Sequence, residues 1–214
     1  MLPGKAKILT CPHCWEKKEV MTVLSYNTFW AIQWSDWKMD MEFDINVSPI
    51  QKCPKCSKYY FWYKQDGEEW DQPTFELWTL TYPEMMEAIE QLWTKDLDDE
   101  DGYNLYITYL YSYNDWFFRG GKKNKHEEVA KDRAIFCSCI NELLRYMTNL
   151  VQNWKNVPWG WILVGELYRE MWEFENCIQW LTDFNNALNW KYTYVINQII
   201  EHAKNEDRKV FVIK

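Results

Sequence analysis

Two tetrapeptides constrain this chain more than any other feature: Cys11-Pro12-His13-Cys14 and Cys53-Pro54-Lys55-Cys56, with 38 residues between them. Two thiolates three positions apart on a tight turn both reach one ion at about 2.3 Å, and a second such turn completes a tetrahedron. Backbone N–H groups within each turn hydrogen-bond the sulfurs and spread their charge. The spacing therefore predicts one zinc ion per chain, held by Cys11, Cys14, Cys53 and Cys56. Four thiolates leave no open position for water, so the predicted role of the ion is structural. His13 is not needed as a ligand, because the four sulfurs fill the shell. Two other readings fit less well. Unrelated buried cysteines would not recur as two Cys-Pro-x-Cys turns, and a redox pair belongs in a βαβ pattern that the flanking residues lack.

The remaining cysteines, Cys137, Cys139 and Cys177, bring the total to seven. An odd number arranged in this way favours a reducing compartment over a disulfide framework, so the expected location is cytoplasmic. Met1–Thr10 has no long apolar run of the secretory kind, and no stretch approaches the roughly 18 apolar residues of a membrane span, so no membrane partner is expected. The 18% aromatic content over 214 residues supplies ample apolar area for a core without disulfides. Charge is divided unevenly. Residues 1–65 hold nine Lys and no Arg against six acidic residues, whereas the rest carries a net −11. Phosphate binding needs clustered cations, which the acidic part lacks.

Residues 1–65 read as β-structure, with candidate strands at 7–10, 19–25, 31–34, 50–52 and 58–64. The segment from Trp70 to Thr79 reads as an extended crossover. Helices take over after Pro83. Thr81 and Glu84 form a Thr-x-x-Glu capping box, followed by Met85, Ala88, Ile89 and Leu92 at helical spacing. The acidic run Asp96 to Asp101, with Gly102, is expected to end this helix in a solvated loop. A second helix is expected at about 103–118, stopped by Gly120-Gly121. A long third helix is expected from a cap at Asn124 with Glu127 to about Val151. Three more follow at about 158–171, 174–188 and 192–204, with Pro158 in a first turn that suits proline. Lys209 to Ile213 reads as a short closing strand. The predicted fold class is α+β, divided into 1–80 and 81–214.

Residues 7–64, with their two cysteine turns between strands, resemble a zinc ribbon, although the insert between the turns is long for the simplest version. Trp161, Gly165, Tyr168, Phe174 and Cys177 match the offsets of a tetratricopeptide repeat. Trp172 stands where that family commonly has glycine, and Cys177 where it has alanine. The resemblance covers one repeat of about 34 residues. It implies a stack of helical hairpins used for protein contact, and so a non-enzymatic adaptor whose partner is an unidentified protein. The alternative is a nucleic-acid-associated regulator using Lys52, Lys55, Lys58 and Lys64 around the ribbon.

Other constellations have ordinary readings. Tyr59 to Tyr63, flanked by lysines, suit base stacking, but the modest local charge favours a strand with both faces partly buried. The acidic run lacks the ligand spacing of a calcium loop. His126-Glu127 lacks a second histidine at Ala130, and His202 has no catalytic companions. Cys137 and Cys139 point to different sides of their helix. No catalytic set emerges.

One anomaly is compositional. The chain has 15 Trp and only 7 Gly. Trp15 follows a cysteine turn, Trp37 follows Asp36 in Ser-Asp-Trp-Lys, and Trp172 and Trp190 lie between helices. These are places where glycine is preferred, because a left-handed backbone costs other residues roughly 1–2 kcal/mol. Two readings stay open here. Either the protein is tryptophan-rich, or its source reads UGA as glycine and these tryptophans reflect translation under another code.

Overall fold

The structure, a computed structural model, describes residues 2–25, 31–40, 48–63, 80–92, 97–119, 126–153, 158–187 and 192–213. Of residues 2–7, 20–25 and 153 only the backbone is described. The expected crossover at 70–79, the Gly120-Gly121 stop, the Asn124 cap, Lys64 and Trp190 lie outside the described residues. The fold is α+β, with antiparallel hairpins in the N-terminal part and, among the described residues, six α-helices after them. Two compact units emerge: Met1–Ala31 with Met39–Ser112, and Ile32–Lys38 with Tyr113–Lys214. The division between them falls within the helix Asp99–Asn114.

In the first unit, β1 (Leu2–Thr10) pairs antiparallel with β2 (Lys17–Ser25), so that Leu9 faces Lys18 and Thr10 faces Lys17. Two short strands follow in sequence, β3 (Ile32–Gln33), which belongs to the second unit, and β4 (Met39–Asp40). A second hairpin joins β5 (Ile50–Lys52) to β6 (Tyr59–Phe61), with Gln51 opposite Tyr60. Each cysteine pair sits in the turn of one hairpin, as the flanking strand patterns predict. The aromatic run has both faces covered. Tyr60 and Trp62 pack with Leu9, Cys11 and Cys53, and the Trp62 indole N–H donates to the Ser48 carbonyl at 2.7 Å. Tyr59 is buried as well, and its hydroxyl donates to Glu87 at 2.9 Å.

Helix α1 (Tyr82–Leu92) buries Tyr82, Met85, Ala88, Ile89 and Leu92, a stripe at three- and four-residue spacing. The Glu84 carboxylate accepts from the Thr81 N–H at 2.9 Å and hydroxyl at 2.8 Å, which satisfies an orphan donor at the helix start. Helix α2 (Asp99–Asn114) corrects the expectation for the acidic run. Asp98 caps it: its carboxylate accepts from the Asp101 N–H at 2.9 Å, and its carbonyl accepts from Gly102. Asp99, Glu100 and Asp101 thus fill a first turn, where the helix dipole favours negative charge, rather than a last turn, where it opposes it.

In the second unit α2 widens into a single π-helical turn at Asp115–Arg119. Helices α3 (Ala130–Asn153), α4 (Pro158–Glu170), α5 (Phe174–Ala187) and α6 (Thr193–Lys204) follow, close to the predicted bounds. Ile162, Cys177, Leu181, Ile196 and Ile199 form the core between the last three. Gly165 is required by a close approach of α4 and α5: a Cβ there would lie 2.4 Å from Leu181 Cγ. Trp161 stacks on Trp180 and Phe184 at the same contact. The closing segment pairs with the turn after β3, through a bridge between Trp34 and Val212 and a bond from the Ser35 N–H to the Phe211 carbonyl at 2.9 Å.

Candidate metal centre

Both cysteine turns are built by the same backbone hydrogen bonds. In the first, the Cys11 N–H donates to the Glu16 carbonyl at 2.8 Å and the Trp15 N–H to the Cys11 carbonyl at 2.9 Å. In the second, Cys53 donates to Lys58 and Ser57 to Cys53, each at 2.9 Å. The proline after each first cysteine has no N–H to leave unsatisfied and a φ already suited to the bend. Each turn therefore aims two thiols to the same side.

The two turns bring Cys11, Cys14, Cys53 and Cys56 together, with all four sulfurs within 4.8 Å of one another. Cys11 Sγ lies 3.7 Å from Cys56 Sγ, and Cys14 Sγ lies 3.5 Å from Cys53 Sγ. A disulfide would need about 2.05 Å, and all four are free. A tetrahedron with arms of about 2.3 Å has edges of about 3.8 Å, so the closer pairs stand at the spacing of sulfurs around a single ion. The donor set fits a soft or borderline cation. Cys11 and Cys53 are buried among Leu9, Tyr60 and Trp62, whereas Cys14 and Cys56 are partly exposed.

The electrostatics agree with the geometry. Burial pushes the Cys53 thiol up, but hydrogen bonds from the backbone N–H groups of Cys56 and Lys55, and from the thiols of Cys14 and Cys11, outweigh it and hold the group at about 7. A backbone hydrogen bond at Glu16 pulls Cys14 down, yet burial and the thiols of Cys53, Cys56 and Cys11 push it up to about 12. Four sulfurs this close cannot all carry negative charge unless a cation sits among them. The His13 N–H donates to Cys11 Sγ at 3.4 Å. The His13 ring faces elsewhere, with Nε2 3.4 Å from the Tyr59 carbonyl.

An ion pair that the sequence reading missed ties the two turns together: Lys55 Nζ lies 2.9 Å from Glu16 Oε2. Opposite charges at the two turns were the available signal. Lys52 similarly pairs with Glu87 at 2.7 Å. Of the lysines considered for phosphate contact, two are therefore engaged by carboxylates.

The other candidates are satisfied locally. His126 stacks on Trp116 with ring centres 3.8 Å apart. His202 stacks on Phe211 and lies 2.9 Å from an Asp207 carboxylate oxygen. Burial pushes the thiols of Cys139 and Cys177 up to about 12, which leaves them unreactive. Among the described residues no other group of three or more Cys, His, Asp or Glu side chains converges as metal ligands.

The second unit holds a buried polar cluster that no local pattern announced. The Asn114 amide donates to Asp36 Oδ2 and Glu170 Oε2, each at 3.0 Å, and Arg119 pairs with Asp36. Burial first, and then the nearby Glu166 charge, push the Glu170 carboxyl up to about 7.

No protein-family model, no curated protein and no solved structure matches the chain.

Proposed function

We propose that this protein is a non-enzymatic adaptor whose N-terminal hairpins are held together by one structural zinc ion, and whose tetratricopeptide-like helices bind another protein in a reducing, cytoplasmic setting. The spacing of the four sulfurs carries the metal part of the reading. Zinc suits it because a closed tetrahedral thiolate shell matches an ion without redox chemistry or a geometric preference of its own. Cys11, Cys14, Cys53 and Cys56 each donate one thiolate, and the N–H groups of the turns and the apolar wall of Leu9, Tyr60 and Trp62 support them. The adaptor part rests on the α4–α5 hairpin, where Gly165 permits close contact and Trp161 anchors the pair. The pairing of Lys52 and Lys55 with carboxylates supports a protein partner over nucleic acid.

Elemental analysis of the purified protein, with Cys11→Ser and Cys53→Ser alongside, tests the metal assignment. One zinc per chain, lost in both variants, is the expected result. Zinc that survives either substitution, or its absence from the parent protein, would remove the four-thiolate site.

A further inference from the structure

We infer that Trp15, Trp37 and Trp172 occupy positions that the native polypeptide fills with glycine, because its source reads UGA as glycine. Some genetic codes read UGA as tryptophan and others as glycine, so one codon connects the two residues.

Among the described residues five non-glycine positions have a left-handed backbone: Trp15 (φ 61°), Trp37 (φ 67°), Ser57 (φ 57°), Trp172 (φ 64°) and Glu206 (φ 53°). Asn, Asp and His are the side chains enriched in this region, and bulky ones are outliers. With 15 tryptophans in 214 residues, a random draw of five would contain fewer than one. Three are present.

Each of the three lies in a different motif with its own glycine position. Trp15 closes the first cysteine turn, matching Ser57 in the second. Trp37 ends the turn 34–37, where its N–H donates to the Trp34 carbonyl at 3.0 Å, while the Trp34 N–H donates to Lys38 at 2.9 Å. That is a turn followed by a left-handed bulge, for which Asp-Gly is the favoured pair. Trp172 sits just past α4, where its N–H donates to Arg169 at 3.2 Å and the Glu173 N–H to Tyr168 at 2.9 Å. These are the two bonds of a Schellman cap, whose left-handed position is usually glycine.

The side chains fit these places unevenly: Trp37 packs against the core of the last three helices, and Trp172 lies under Arg133 and Arg208. Trp15 is 77% exposed, the largest value among the large hydrophobic residues described. Trp172 is 38% exposed; Arg208 lies over its ring at 3.9 Å, but also over Phe118 and beside Glu128. The Trp37 indole N–H is buried without a hydrogen-bond partner. Trp62 and Trp180 behave differently. They have ordinary backbones, and their indole N–H groups donate to the carbonyls of Ser48 at 2.7 Å and Trp161 at 2.8 Å. Two populations of tryptophan thus share the chain: one with an ordinary backbone and a satisfied indole N–H, the other with a left-handed backbone.

Sequencing the gene and mass spectrometry of peptides from the protein purified from its source test this together. The expected result is UGA at codons 15, 37 and 172, UGG at codons 62 and 180, and glycine in the native peptides that span the first three. UGG at any of the three, or tryptophan in those peptides, overturns it.

Discussion

The cysteine hairpins and the α4–α5 pair each join two short elements, but by different physics. In the hairpins, four sulfurs and a few turn hydrogen bonds set the arrangement, and the apolar wall around them is small. In the helical pair there is no such focus. A glycine, a leucine and a row of stacked rings fit because every neighbour fits. The first kind of stability is concentrated and can be removed at one atom. The second is distributed and responds in proportion to volume.

The sharpest way to separate them is metal removal. A chelator is expected to abolish hydrogen-exchange protection at the Cys11 and Cys53 amides and leave that of α5 intact. Structural zinc contributes about 10–16 kcal/mol in small zinc-folded peptides, which the modest hairpin core cannot replace. Equal loss of protection in both regions would break the contrast.

A smaller effect probes the helical pair. Gly165→Val pushes side-chain atoms into Leu181, which is fully buried, and is expected to cost about 3 kcal/mol in denaturant unfolding of the helical unit. Adding Leu181→Ala should cost less than the two single changes summed, because the clash disappears. Strict additivity would mean that the close approach is unimportant.

The smallest effect concerns pH. The Glu170 carboxyl titrates near 7 in the folded protein, above its ordinary range. The folded state therefore keeps this proton longer than the unfolded chain does. Its contribution is fully present at low pH and declines as pH rises from about 4.5 to about 7, by on the order of 3 kcal/mol. Glu170→Gln should flatten that part of the stability–pH curve for α3–α6, measured by thermal unfolding, and leave the hairpins unaffected. An unchanged slope would remove Glu170 as its source.

What was legible in the sequence follows the same division. The cysteine site was readable at residue level because thiolate chemistry fixes both residue type and spacing. The strand Ile50–Lys52 and the helices α4 to α6 were readable from period and capping. The acidic run was misplaced because carboxylates mark a first turn as readily as a solvated loop, and Asp98 as a cap is decided by which side the helix lies on. The cluster of Asp36, Asn114, Arg119 and Glu170 left no trace, since its members are far apart along the chain and each looks like an ordinary surface residue. Trp37 and Trp172 were conspicuous for the opposite reason: a local backbone demand contradicted the residue written there.

The pairing of residues 33–35 with 211–213 has a consequence for how the protein is made. Ser35 and Phe211 are 176 positions apart, and at about 5–20 residues per second the ribosome takes roughly 10–35 s to cover that distance. Throughout that interval the strand partner of the early turn does not yet exist. Asp36, which ends up completely enclosed, waits in water with its charge unmatched by Arg119 for a large part of it. The helical unit therefore completes its fold only after synthesis of its last segment.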